Sequence, residues 1–275
     1  MNRNVIKALI VKDLRTIRRS KSLLTVLIII PIIFSFVIPT AAIAGIRFFD
    51  VEGSMGSDAE KLIAKFLAEV TVSSVSLETF KQQMIYISIN YLFTSLFLLV
   101  PIVTASVTAA NSFVGEKERR TLESLLFAPI SIKELFVAKI LASFLPSYFI
   151  SLASFILSGI SINILSYPLF DKLIFPTGNW LVLIACLSPM ILLSTILLNV
   201  FISSRVKTYQ EAQNIGGMIV LPVIAMVVGQ VSGLFLIGMK IMLLLSLALL
   251  IINLFMLKKI AKSHDRHVLF EKQIH

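Results

Sequence analysis

SLLTVLIIIPIIFSFVIPTAAIAGI, residues 22–46, runs for 25 residues without one charge. A hydrocarbon core about 30 Å thick is crossed by roughly 20 apolar residues. A soluble helix of this length needs a wetted face, and this stretch has none. Three similar runs occur at about 85–112, 136–162 and 180–203. From Gly216 to Leu257 the chain is apolar except for Gln230, Lys240 and Asn253. That is too long for one span and fits two, with the turn marked by Gly229, Gln230, Ser232, Gly233 and Gly238. The expectation is therefore six spans, all helical, since backbone in lipid must satisfy its own hydrogen bonds.

The rest of the chain agrees. Apolar residues make up 57% of the 275 and charged residues 15%, against about 25% in soluble domains. Mean hydropathy is +0.94. This excludes a soluble enzyme, a disordered chain and a disulfide scaffold; the single Cys186 has no partner within the chain. Ala42-Ile43-Ala44 has the form of a signal-peptidase site. The apolar run before it is longer than a signal's ~7–15 residues, so it reads as a retained first span.

Residues 1–21 are not a span. Ile6, Leu9, Ile10, Leu14 and Ile17 recur on one helical face, with Lys7, Lys12, Arg15, Arg18, Arg19 and Lys21 around it. This is an amphipathic interfacial helix suited to an anionic leaflet, or else a plain basic flank. Trp180 opens span four as an expected interfacial anchor. Nineteen of the 25 Lys and Arg fall in the N-terminal arm, residues 113–139, residues 203–214 and the tail; six fall elsewhere. By the positive-inside rule both termini are cytoplasmic, in a multi-pass protein of the plasma (cell) membrane. The expected organisation is 1–21 interfacial helix, 22–258 six-span domain and 259–275 tail. Segment 47–84 lies outside and contains an amphipathic stripe of Ala59, Leu62, Ile63, Phe66, Leu67 and Val70.

The net charge of +10 is topogenic rather than a nucleic-acid footprint. No phosphate-cradling Gly-x4-Gly-Lys-Ser/Thr occurs, so no ATP or other cofactor is expected on this chain. No Asp, Glu or Arg lies well inside a span, which argues against an ion relay. Lys240 reads as snorkelling. His264 and His267 read as solvated tail, not a metal pair, and no catalytic constellation is present.

The segment at 113–135 is the informative one. Leu122, Leu125 and Leu126 share a helical face, crowded by Glu116, Glu118, Arg119, Arg120 and Glu123. Pro129 ends that helix. Ser131 and Glu134 form a capping box for the next, with Ile130 and Leu135 at staple positions. A short helix held between two spans passes a push from a soluble partner into the membrane; the plain alternative is a solvated connector.

Glu-x-Glu-x-x-Thr-Leu-Glu-x-Leu-Leu-x-x-Pro-Ile-Ser at 116–131 resembles the signature of ABC type 2 transporter permeases. The matching positions are Glu116, Glu118, Thr121, Leu122, Glu123, Leu125, Leu126, Pro129 and Ser131. Lys139, the N-terminal helix, the six spans and His264-Asp265-Arg266 also suit that family. Arg120 departs from it, standing where the family usually has Gly before Thr-Leu-Glu. The resemblance implies a cytoplasmic coupling helix docking on a separate ATP-binding subunit, which holds ATP and Mg. It also implies a second permease copy, in a homodimer or heterodimer. The expected function is the permease subunit of an ATP-driven exporter. Other readings are a channel or ion-coupled carrier without an ATPase, or a structural anchor. Asn90, Thr94, Asn111, Ser194 and Asn199 are small neutral span residues that either line a pathway or hydrogen-bond between helices. The lack of intramembrane charge fits a drug, peptide or lipid cargo, and the resemblance leaves a sodium extruder open.

Overall fold

Ser20 makes the first corner. Its extended backbone (φ −89°, ψ 104°) breaks the helix, and its hydroxyl accepts from the Leu23 amide, capping the next helix. It separates α1 (Arg3–Arg19) from α2 (Lys21–Phe48). The computed structural model describes residues 3–49, 63, 66, 77–118, 131–203, 205, 206 and 208–262. The other long helices are α3 (Phe80–Gly115), α4 (Ile132–Phe170), α5 (Gly178–Ser203), α6 (Tyr209–Val231) and α7 (Met239–Lys262). Among the described residues there is no strand, and α2 to α7 are the six helices long and apolar enough to cross a membrane.

α3 is the core. Its most apolar window is 83% buried, against 17% for α7, so α7 lies at the periphery. Around α3 pack α4, α5 and α6 about equally, and α2 less extensively. The α4 face turned inward is built of serines. Ser143, Ser147, Ser151, Ser154, Ser158 and Ser161 recur every three or four residues, and all are buried. Small side chains let helices approach where lipid supplies no hydrophobic drive. Thr108 of α3 sits 3.0 Å from the Ser147 hydroxyl. α6 approaches just as closely at Gly216, where an added Cβ would lie 2.4 Å from Ser106 Oγ and 3.3 Å from Asn199 Oδ1.

Several helices widen to π-helical turns at Ile33–Val37, Ser88–Leu92, Asn111–Gly115 and Leu183–Leu187. A π turn shifts the hydrogen-bond ladder and frees carbonyls for outside donors. The Ile89 carbonyl accepts from Trp180 Nε1 at 2.9 Å, that of Asn90 from Asn179 Nδ2 at 3.1 Å, and that of Ser35 from the Ser158 hydroxyl at 2.6 Å. Trp180 is therefore 1% exposed, edge-on to Phe97 and Phe175, and not the interfacial anchor its place at a span start suggested.

Helix ends differ from the sequence expectation. α4 continues to Phe170, eight residues past 162, through Pro168, and closes on Asp171 in the left-handed region (φ 51°). At that end Asn163 clamps the 171–177 connector: its Oδ1 accepts from Ile174 and Phe175, and its Nδ2 donates to the Phe175 carbonyl. α6 begins at Tyr209 rather than 216. Gln230, expected in a turn, is still helical and wholly buried; the turn comes at Gly233 (φ 73°). Of the stripe in 47–84, Ile63 and Phe66 are helical and buried near Ile87 and Tyr91; its other members lie outside the described residues.

Candidate functional site

Charge concentrates where α1, the end of α3 and the start of α4 meet. α1 turns Ile6, Leu9, Asp13 and Ile17 inward, and Ile6 and Leu9 pack on Leu135 and Ala138 of α4. Burying Asp13 among apolar neighbours demands partners. Its carboxylate accepts from the Ser112 hydroxyl at 2.6 Å. Lys139, one turn beyond Leu135, donates to the Ser112 carbonyl and to Glu116, and lies 5.4 Å from the Phe113 ring centre. Lys12 reaches Glu116 from the other side and stands 3.6 Å from Asp13. Among the described residues, two cations and two anions thus meet here. Lys139 and Glu116 are buried (4% and 8% exposed), whereas the Lys12 side chain is 42% exposed.

Burial pushes the Asp13 carboxyl above its ordinary 3.8, against the pull of Lys139 and Ser112. Burial acts on Glu116 as well, but Lys139 and Lys12 outweigh it and hold its carboxyl below 4.5. The signs oppose each other. Glu116 contributes stability above pH 4.5 that is lost as pH falls through its lowered value. Asp13 contributes below pH 3.8 and loses that contribution as pH rises through its raised value.

Glu118 turns the other way. Its carboxylate accepts from the Tyr209 amide at 2.9 Å, at the first turn of α6, where a negative charge is favoured. Tyr209 itself packs on Ala110 and Val114 of α3. Glu116 and Glu118 therefore engage this chain's own helices. Ser131 caps α4 with Glu134 as its spacing predicts, 3.2 Å in each direction. Arg119, Arg120, Thr121, Leu122, Glu123, Leu125, Leu126 and Pro129 lie outside the described residues.

The neutral span residues make hydrogen bonds of two kinds, within a helix and between helices. Asn90 Nδ2 donates to Tyr86 O, the Thr94 hydroxyl to Asn90 O and Asn199 Nδ2 to Thr195 O, each one turn back. Ser194 donates to Asn253 at 2.7 Å, and Asn253 donates to Met190 O at 2.9 Å. This pair joins α7 to α5. Asn111 is buried in the last π turn of α3. Of the basic set on α1, Lys12 is drawn into the cluster, while Lys7, Arg15, Arg18 and Arg19 point outward.

Asp13 and the serine seam escaped the sequence analysis. Asp13 is the lone acid of residues 1–21 and stands four residues from both Leu9 and Ile17. An acid on the apolar stripe is itself a sign of a buried partner. The serines carried their sign in the three- and four-residue spacing.

Six spanning helices around a buried polar seam, with charge gathered at one end, define a polytopic membrane protein of transporter-permease build. The family model described as ABC-2 family transporter protein matches residues 7–261, and the chain belongs to that family. No curated protein and no solved structure matches it.

Proposed function

We propose that this permease is the membrane subunit of an ATP-driven exporter, coupled through residues 116–131 to a separate ATP-binding subunit. The observation that carries this is the fastening of Glu116 and Glu118. One binds α1 and α4 and the other binds α6, both at the exit of α3. A displacement of the segment that begins there is delivered to four helices at once. ATP and Mg reside on the partner, and two permease copies enclose the pathway. Both termini face the cytoplasm of the plasma membrane.

Inside-out vesicles carrying the chain with its ATP-binding subunit should accumulate a cargo from an apolar or amphipathic panel only when ATP is supplied. Accumulation without the ATPase, driven by an ion gradient, would establish the carrier instead. Orientation has its own check. In intact cells a cysteine placed at Ser57 should react with an impermeant thiol reagent, and one at Lys117 should not. Reversed labelling would overturn the topology.

A further inference from the structure

The outer face of α1 bears a groove of about 670 Å³ lined by Lys7, Val11, Lys12, Arg15, Thr16 and Arg19, among others. Among the described residues no acid pairs with Lys7, Arg15 or Arg19, and only Lys12 is engaged, through Glu116 and Asp13. Lys7, Lys12, Arg15 and Arg19 follow one another at steps of three to five residues, so they fall on one side of the helix rather than circling it. Arg3, Arg18 and Lys21, equally exposed, lie outside the groove.

Its height relative to the spans is fixed at two points. Asp13 is bonded to Ser112, where the apolar run of α3 gives way to Glu116 and Glu118. Arg19 stands two residues before the start of α2. The groove therefore lies at the level where spans leave the hydrocarbon, which is the level of lipid phosphates. We infer that it is a binding site for the phosphodiester headgroup of an anionic phospholipid of the surrounding leaflet. Arg and Lys hold the phosphate, and Val11 gives the glycerol end an apolar wall. The lipid pins the outer face of the helix whose inner face carries the ionic cluster. The site rests on α1 and the level of the spans, whether or not the chain works with an ATPase.

The test uses the full chain in nanodiscs of phosphatidylcholine with and without phosphatidylglycerol, reading lipid retained per chain by native mass spectrometry. The chain should hold phosphatidylglycerol at least ten-fold over phosphatidylcholine, and excess inorganic phosphate should not displace it. The variant K7Q/R15Q/R19Q should lose that retention. The loss should equal the preference itself, about ten-fold or more. R3Q/R18Q/K21Q removes the same charge outside the groove and should keep most of it, as should R15K/R19K. Equal loss in both triple variants would mean a diffuse surface field and overturn the site. So would displacement by phosphate, or no lipid preference in the unaltered chain. If the groove variant keeps its lipid and sheds the ATP-binding subunit or a nucleic acid, the groove seats that partner and the inference fails.

Discussion

Lys139→Met should lower the stability of the purified chain by about 3–5 kcal/mol, the cost of removing one partner from a buried ion pair. The size reflects burial. Glu116 loses its buried cation and keeps Lys12, whose side chain is 42% exposed and screened by solvent, and Asp13 loses its nearest buried cation. The Ser112 carbonyl also loses its donor. Lys12→Met, by contrast, removes an exposed cation and should cost under ~1 kcal/mol. Adding Glu116→Gln to Lys139→Met removes the orphaned charge and should restore much of the loss. Thermal unfolding of these variants and of Glu116→Gln alone in one detergent gives the comparison, and the double-mutant cycle should show coupling of at least ~2 kcal/mol. If Lys139→Met costs no more than Lys12→Met, the cluster does not fasten α1 to α4. Transport should fall with stability in the single variant, because the exit of α3 then loses its ionic tie to α4.

The second large effect is expected at Leu125 and Leu126. With Leu122 they have the spacing of one face of a helix, on a charged segment between spans. A partner's groove is the economical cover for such a face. Burying a leucine contributes about 1.5–3 kcal/mol, so Leu125→Asp with Leu126→Asp should cost roughly 3–6 kcal/mol of docking. That is about two to four orders of magnitude in affinity. Neither residue lies in a span, so membrane insertion should be unchanged. Co-purification should then show the ATP-binding subunit lost, and vesicle transport should stop. Stoichiometric ATP-binding subunit with full transport in the double variant would remove this segment from the coupling path. Glu118→Gln is a useful companion, since it weakens only the bond to Tyr209 at the start of α6.

The two variants probe opposite kinds of legibility. The leucine face, the capping box at Ser131 and the six apolar runs are local patterns. Helical spacing, side-chain size and the length of a bilayer crossing define them, and the structure returns the capping box and the six spans with shifts only at their ends. The excess of Lys and Arg on one side is likewise visible in one dimension, because it is a count.

Contacts that depend on which helices meet were not visible in that way. The sequence marks Lys12 and Glu116 as charged surface residues, 104 positions apart. Only the packing of α1 beside α4 turns them toward each other and buries Glu116. Asn90, Thr94, Ser194 and Asn199 offer the same small polar groups whether they line water or bond a neighbouring helix. The structure gives each a partner, a carbonyl one turn back or Asn253 on α7. Trp180 reads as an interfacial residue until the π turn of α3 presents the Ile89 carbonyl to its indole. The sequence by itself determined the class of protein, the number of crossings and the charged segment with its leucine face, since each rests on local chemistry. Tertiary structure alone decided which charges are buried and balanced, because burial and pairing belong to the contacts between helices and not to any one of them.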